Sequence, residues 1–248
     1  MRTRYYEMFR KASQDDFYRA INDTDSELYD VLWSAFDTLV IEPAEVYDPD
    51  FRDLNQFRYR IGEGFVTLEF FPSEDYFLMR PGPDPYKDDS DSAGIHLKLS
   101  ILPHMSCLFC VSLGIWGEVE RDAFRELWFR HRTLLSSLLR RAKPIIFTSI
   151  LFPQVEYART LEEMLDSYFS LHDPNNLLEL QYSFPQLDET NEAENFMTYM
   201  ALLYHMIRSY AHSQTDLTST WLDRLNRFYS GYLPDLPAPL PCVTVAGE

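Results

Sequence analysis

Two runs of strand-like alternation, Phe57-Arg-Tyr-Arg-Ile61 and Phe65-Val-Thr-Leu-Glu-Phe-Phe71, meet across Gly62-Glu63-Gly64. That pattern commits the chain to an antiparallel hairpin at the head of its sheet. Strand side chains alternate with a period of two, so the loop length decides which residues share a face. A two-residue loop at Gly62-Glu63 sets Phe57, Tyr59 and Ile61 beside Leu68, Val66 and Gly64. Gln56, Arg58 and Arg60 then face Glu69, Thr67 and Phe65. A three-residue loop would place Arg58 and Arg60 among Val66, Leu68 and Phe70, and burying two guanidiniums costs far more than exposing one phenylalanine. The shorter loop is expected, with Gly62 opening a type II′ turn. On this reading Tyr59 is a core residue and the arginines face outward.

The rest of the chain builds around that hairpin. Ser13-Gln-Asp-Asp16 starts a short helix, and a longer one runs from Asp25, its cap, to about Ile41, stopped by Pro43. Its apolar stripe is Leu28, Leu32, Ala35, Phe36 and Leu39. Residues 44–55 read as an acidic connector. Tyr76–Met79 is a short third strand and 80–94 a mobile acidic loop. Ile95–Leu102 alternates, with Ile95, Leu97, Leu99 and Ile101 inward and His96, Lys98 and Ser100 outward; Cys107–Trp116 is a buried strand. A cationic helix follows over about 119–141, then a strand at Ile145–Phe152 and a helix at Thr160–Leu171 with Thr160 and Glu163 as a capping box. Leu177–Phe184 is a strand, Glu192–His212 a long helix, and Ser219–Ser230 a helix closed by Gly231. The expected fold is α/β, leaning to α+β: a mixed sheet with an antiparallel meander first, then alternating helices and strands, helices packed on the sheet. Residues 1–233 form one domain, and 234–248, with Pro234, Pro237, Pro239 and Pro241, a proline-rich tail.

Charge is sorted along the chain. Residues 1–94 hold 21 acids against 10 bases and 159–248 hold 13 against 4, while 95–158 hold 5 against 8, within a total of −17. An anionic surface of this size disfavours nucleic acid and anionic membranes and suits a basic protein partner, with long-range attraction speeding encounter. The cationic helix is the exception. Arg121, Arg125 and Arg132 flank its core face beside Trp128 and offer a ledge for an anion or a stacked group; pairing with acids of the flanking segments is the structural alternative. His131, among leucines, reads as a core residue. The uncharged stretch Leu99–Gly117 is nineteen residues long, but Pro103, His104 and its alternation mark two strands and a turn instead of a membrane span. The N-terminus shows no signal-peptide pattern, and three cysteines fit a reducing cytoplasm.

No short motif names a reaction. GxxxxGK[ST], GxGxxG, GxSxG and HExxH are absent. His104-x-x-Cys107-x-x-Cys110 has metal-like spacing, but on a strand residues three apart point to opposite faces about 10 Å apart, so buried thiols are expected. His205 and His212 stand two turns apart on the last long helix in a polar stripe with Thr198 and Ser209, where paired imidazoles could do acid–base work. Arg208-x-x-x-His212 resembles the Arg…His pairs of HEPN-type ribonucleases, at a spacing shorter than that family's usual one. The order of elements from Asp25 to Phe152 resembles the common core of PD-(D/E)xK nucleases. That likeness is one of topology: the family's acid-x-Lys strand beside a second acid holds Mg²⁺, whereas His96-Leu97-Lys98 lacks the acid and leaves Glu69 alone. A related scaffold is therefore expected to be inactive. The reading favoured here is a cytoplasmic protein-binding factor of adaptor, inhibitor or immunity type, needing no cofactor or metal, with Asp48, Asp50 and Asp53 in its acidic interface. An enzyme, either a His-dependent hydrolase or ribonuclease or a divergent nuclease, is the alternative.

Overall fold

Helix starts are set by side-chain oxygens that reach orphan amides. In the computed structural model, the Ser13 hydroxyl accepts the Asp16 amide at 3.2 Å and the Asp16 carboxylate accepts the Ser13 amide at 2.9 Å, opening α2 (Gln14–Asn22) with a capping box. It follows α1 (Thr3–Lys11). The structure describes residues 3–47, 49–62, 65–72, 94–105, 107–147, 153–154, 160–170, 177–184 and 190–211.

The next helix corrects two expectations. Ser26, not Asp25, caps α3 (Glu27–Phe36) by accepting the Tyr29 amide, while the Asp25 amide donates to the Asp23 side chain. Pro43 does not stop the chain's helical course either. Asp37–Ile41 forms a π-type turn in which the Glu42 amide bonds Asp37, and Pro43 sits in the first turn of α4 (Glu42–Glu45). A proline ring collides with the carbonyl four residues back in an α-helix; the wider turn moves that carbonyl aside. Burial of Leu39, Val40, Ile41 and Ala44 holds the segment down. The acidic connector is thus partly helical, since α5 (Phe51–Leu54) follows.

The strands are β1 (Asn55–Gly62), β2 (Phe65–Pro72), β3 (Ile95–Ile101), β4 (Phe109–Ile115), β5 (Lys143–Phe147), β6 (Pro153–Gln154) and β7 (Leu177–Phe184). Between them come α6 (Glu118–Leu138) and α7 (Leu161–Ser170), with α8 (Thr190–Ala211) last. Among the described residues the strand order is β1-β2-β3-β4-β7-β5-β6. The pairs β1–β2, β2–β3, β5–β6 and β5–β7 are antiparallel. The fold class is mixed α/β, with the meander ahead of the alternating helices and strands. Tyr76–Met79, Ser219–Ser230, nearly all of the 80–94 loop and the 234–248 tail lie outside the described residues.

Alternation across the hairpin is as expected, but the register differs. Gly62 pairs with Phe65, Ile61 with Val66, Tyr59 with Leu68 and Phe57 with Phe70. Gly62 is therefore a strand residue and not the first turn position. The Phe65 ring occupies the space beside it: a Cβ on Gly62 would come within 2.2 Å of that ring. The slip of two keeps every residue on its face while bringing Phe57 to Phe70, where Trp33, Phe36 and Phe51 also gather. Five aromatic rings in mutual contact outweigh the turn preference of one glycine. Because β1 is the edge strand, Tyr59 stays 37% exposed, so it is not the core residue expected.

The chain divides into two compact units. The first comprises Met1–Ser73, His96–Ser112 and Tyr182–Ala201, the second Glu74–Ile95, Leu113–Gln181 and Leu202–Glu248. In the first, Phe9 stacks on Phe17 and meets Phe109 edge-on, Phe109 stacks on Phe184, and Tyr182 on Phe196. In the second, Phe124 and Phe169 meet edge-on beside buried Trp128 and Tyr168. Thr160 and Glu163 exchange the two hydrogen bonds of the expected capping box at α7. α6 ends at Leu138, so Arg140 and Arg141 lie in the turn after it and Lys143 opens β5. His131 departs from helical geometry (φ −125°, ψ 30°) and is half-buried, which removes it from the core; burial, then Arg130, holds its pKa below the usual histidine value.

Candidate functional site

The cationic helix is stitched into its own unit. The carbonyl of Gly94, at φ 32°, accepts the Trp116 and Gly117 amides at 2.7 and 2.9 Å just before α6 begins. The buried Glu120 carboxylate folds over Gly117 so closely that a Cβ there would stand 1.9 Å from it. Arg121 is buried, with a guanidinium nitrogen 3.9 Å from Glu118. Trp128 is fully buried and donates its indole N–H to Asp166 at 2.9 Å; Arg132 bonds the other Asp166 oxygen at 2.6 Å. Arg130 pairs with Glu126 at 3.2 Å and lies over the Tyr210 ring, whose hydroxyl donates to Glu126. Burial pushes the Tyr168 hydroxyl well above the usual tyrosine range, with Arg121 opposing and Asp122 adding to the shift. Arg125 is half-buried. The structure thus brings Trp128 and Arg132 together on one carboxylate, and Trp128 presents no open face for stacking.

Of the predicted histidine site, His205 is buried with its ring edge-on to Tyr204, and the Arg208 guanidinium lies 5.6 Å from the Tyr204 ring centre. Ser209, one turn on, is buried too, so these residues do not form a solvent edge. His212 lies outside the described residues. Cys110 is buried in β4, whereas Cys107 precedes the strand and is half-buried; the strand-spacing argument therefore does not apply to the pair. Among the described residues, no three His, Cys, Asp or Glu side chains converge as metal ligands.

The acidic side is more open. Asp50 is exposed; Asp53 belongs to α5, its side chain not described, and Asp48 lies outside the described residues. Residues 12–51 carry eleven acids and a single base, Arg19. Asp15, Asp23, Asp25, Glu27, Asp30, Glu42 and Asp50 are all exposed, in company with Tyr18 and with Val46 at 65%. Partial burial, then Glu42, holds the Glu194 carboxyl above its usual value. Asp48, Asp50 and Asp53 are a small part of this acidic segment, whose single base between 12 and 51 is visible in the sequence.

A polar cluster lies on the first unit's sheet, among the residues that the nuclease likeness sets side by side, Glu69 and His96-Leu97-Lys98. Glu69 and His96 are each 1% exposed, with Glu69 Oε2 4.0 Å from His96 Nε2 and Oε1 3.5 Å from Arg60 Nε. His96, expected to face outward into solvent, is buried. Across the strands Glu69 lies opposite Arg58 and Lys98.

No protein-family model, curated protein or solved structure matches this chain. Fold and composition define its class as a mixed α/β protein with an acidic, largely helical segment over residues 12–51. Among the described residues no helix is long and apolar enough to cross a membrane.

Proposed function

We propose that this chain is an acidic protein-binding factor of adaptor, inhibitor or immunity type, working in the cytoplasm on a protein with a basic surface and not on nucleic acid. One observation carries the reading: seven acids of the 12–51 segment are exposed, and so are Tyr18 and Val46 of the same segment. Exposed apolar groups within a segment of one sign of charge suit recognition of a complementary surface, the charge setting the association rate and the apolar groups the residence time. Arg130 and Arg132 pair with acids of their own unit, and directly after the acidic segment Arg52 engages its Asp37 and Glu45.

The test is stoichiometric capture of a protein partner, followed by association kinetics at about 50 and about 500 mM salt, since screening over this range shortens the Debye length to a few ångströms. Reversing Asp25, Glu27 and Asp30 to lysine is expected to slow association at low salt by about tenfold while changing dissociation little. An association rate unaffected by the reversal would remove this segment from the interface.

A further inference from the structure

We infer that the polar face of the β1–β2–β3 sheet is a binding site for a small phosphate-bearing anion. Register fixes the arrangement. One face carries Tyr59, Leu68 and Leu99 in a row, with Ile61, Val66 and Ile101 in the next. The other carries Arg60, Thr67 and Ser100 in one row and Glu69 opposite Lys98 in the next, with His96 beside them. A polar sheet face in an antiparallel meander ordinarily meets water. Here its centre does not, since Glu69 and His96 are buried to 1% exposure. Burying a carboxylate and an imidazole is costly, and apolar side chains of similar volume would serve stability as well or better. A buried ionisable pair on a sheet face is therefore a candidate functional site.

The chemistry of the rim selects the ligand. Around the buried pair stand Arg60, 35% exposed, and half-buried Lys98, together with the Thr67 and Ser100 hydroxyls 3.1 Å apart. Guanidinium, ammonium and two hydroxyls are the donor set that tetrahedral oxyanions take. Glu69 acts through its neighbour: its oxygen 3.5 Å from Arg60 Nε orients the guanidinium, as outer carboxylates orient binding groups elsewhere. Strands hold these donors more rigidly than loops would. The site is independent of the acidic segment, so either reading survives failure of the other.

The probe is inorganic phosphate, followed by thermal unfolding of the full chain against chloride at matched ionic strength, with acetate as a separate arm. A ligand that binds only the folded state raises the midpoint saturably. Phosphate is expected to do so, acetate weakly and chloride not at all. Lys98→Gln and Arg60→Gln are expected to abolish the shift, while Arg125→Gln on α6 keeps it. Should either cation variant not fold, Ser100→Ala leaves every charge in place and is expected to weaken phosphate about fivefold by ³¹P line width, the loss of about one hydrogen bond. An unsaturable shift, a chloride shift of equal size, or shifts undiminished in the folded variants would overturn the assignment, and an acetate response equal to that of phosphate would overturn the choice of anion.

Discussion

Replacing Asp166 with alanine is expected to cost more than its exposed salt bridge can explain. The carboxylate accepts two hydrogen bonds of different worth. Its bond to Arg132, at 2.6 Å, joins side chains 46% and 34% exposed, and exposed pairs contribute about 0–1 kcal/mol. Its bond from Trp128, at 2.9 Å, satisfies an indole N–H on a fully buried ring. Stranding that donor costs about 1–3 kcal/mol. Asp166→Ala should therefore cost about 2–3 kcal/mol, Arg132→Ala under about 1 kcal/mol, and Asp166→Asn, which keeps an acceptor, about 1 kcal/mol. Urea unfolding followed by tryptophan fluorescence measures all three. Repetition in about 1 M salt should shrink the Arg132→Ala effect and leave most of the Asp166→Ala effect, because screening acts on the exposed pair. If Arg132→Ala matches or exceeds Asp166→Ala, the ion pair and not the indole holds α6 to α7, and the reasoning is refuted.

Three further outcomes follow from local geometry. Gly62→Ala should destabilise the hairpin by about 1–2 kcal/mol in the natural chain but much less in a Phe65→Ala background, because the obstacle is the Phe65 ring; additive effects in chemical denaturation would contradict the observed register. Glu194→Gln should raise the melting temperature at pH 7 and lose that gain near pH 4, since a carboxyl with a raised folded pKa favours the folded state only while protonated; an equal gain at both pH values would show the charge to be irrelevant. Asp16 is held below its usual pKa by the Ser13 amide and hydroxyl, so its contribution is full above the ordinary aspartate value and is lost as pH falls through the lowered folded value: Asp16→Asn should lower the melting temperature at pH 7 and approach the natural chain near pH 2, and an equal deficit at both would assign the effect to something other than charge.

Local signals wrote most of the element boundaries. The helix start at Ser13 and the capping box at Thr160 were readable because each needs only two side chains three residues apart, and the strands at Leu177–Phe184 and from Ile95 were readable because a period of two survives in any context. Hairpin alternation was equally legible, since a face is a parity and a slip of two preserves it. The register itself was not. It was decided by which aromatic rings the helices bring to Phe57 and Phe70, and by the space the Phe65 ring takes beside Gly62.

Periodicity and composition are properties of neighbours along the chain, so the mixed α/β class and the acidic character of residues 12–51 are legible without a fold. How each charge is used is not, because it depends on packing between distant segments. The tertiary structure buried Glu69 and His96 on a face that alternation alone assigns to solvent, and it turned Trp128 inward onto Asp166, where spacing alone suggested a ledge. Burial depends on what packs over a face, and the segments that supply that cover or those partners are distant in sequence, so no local pattern carries the information.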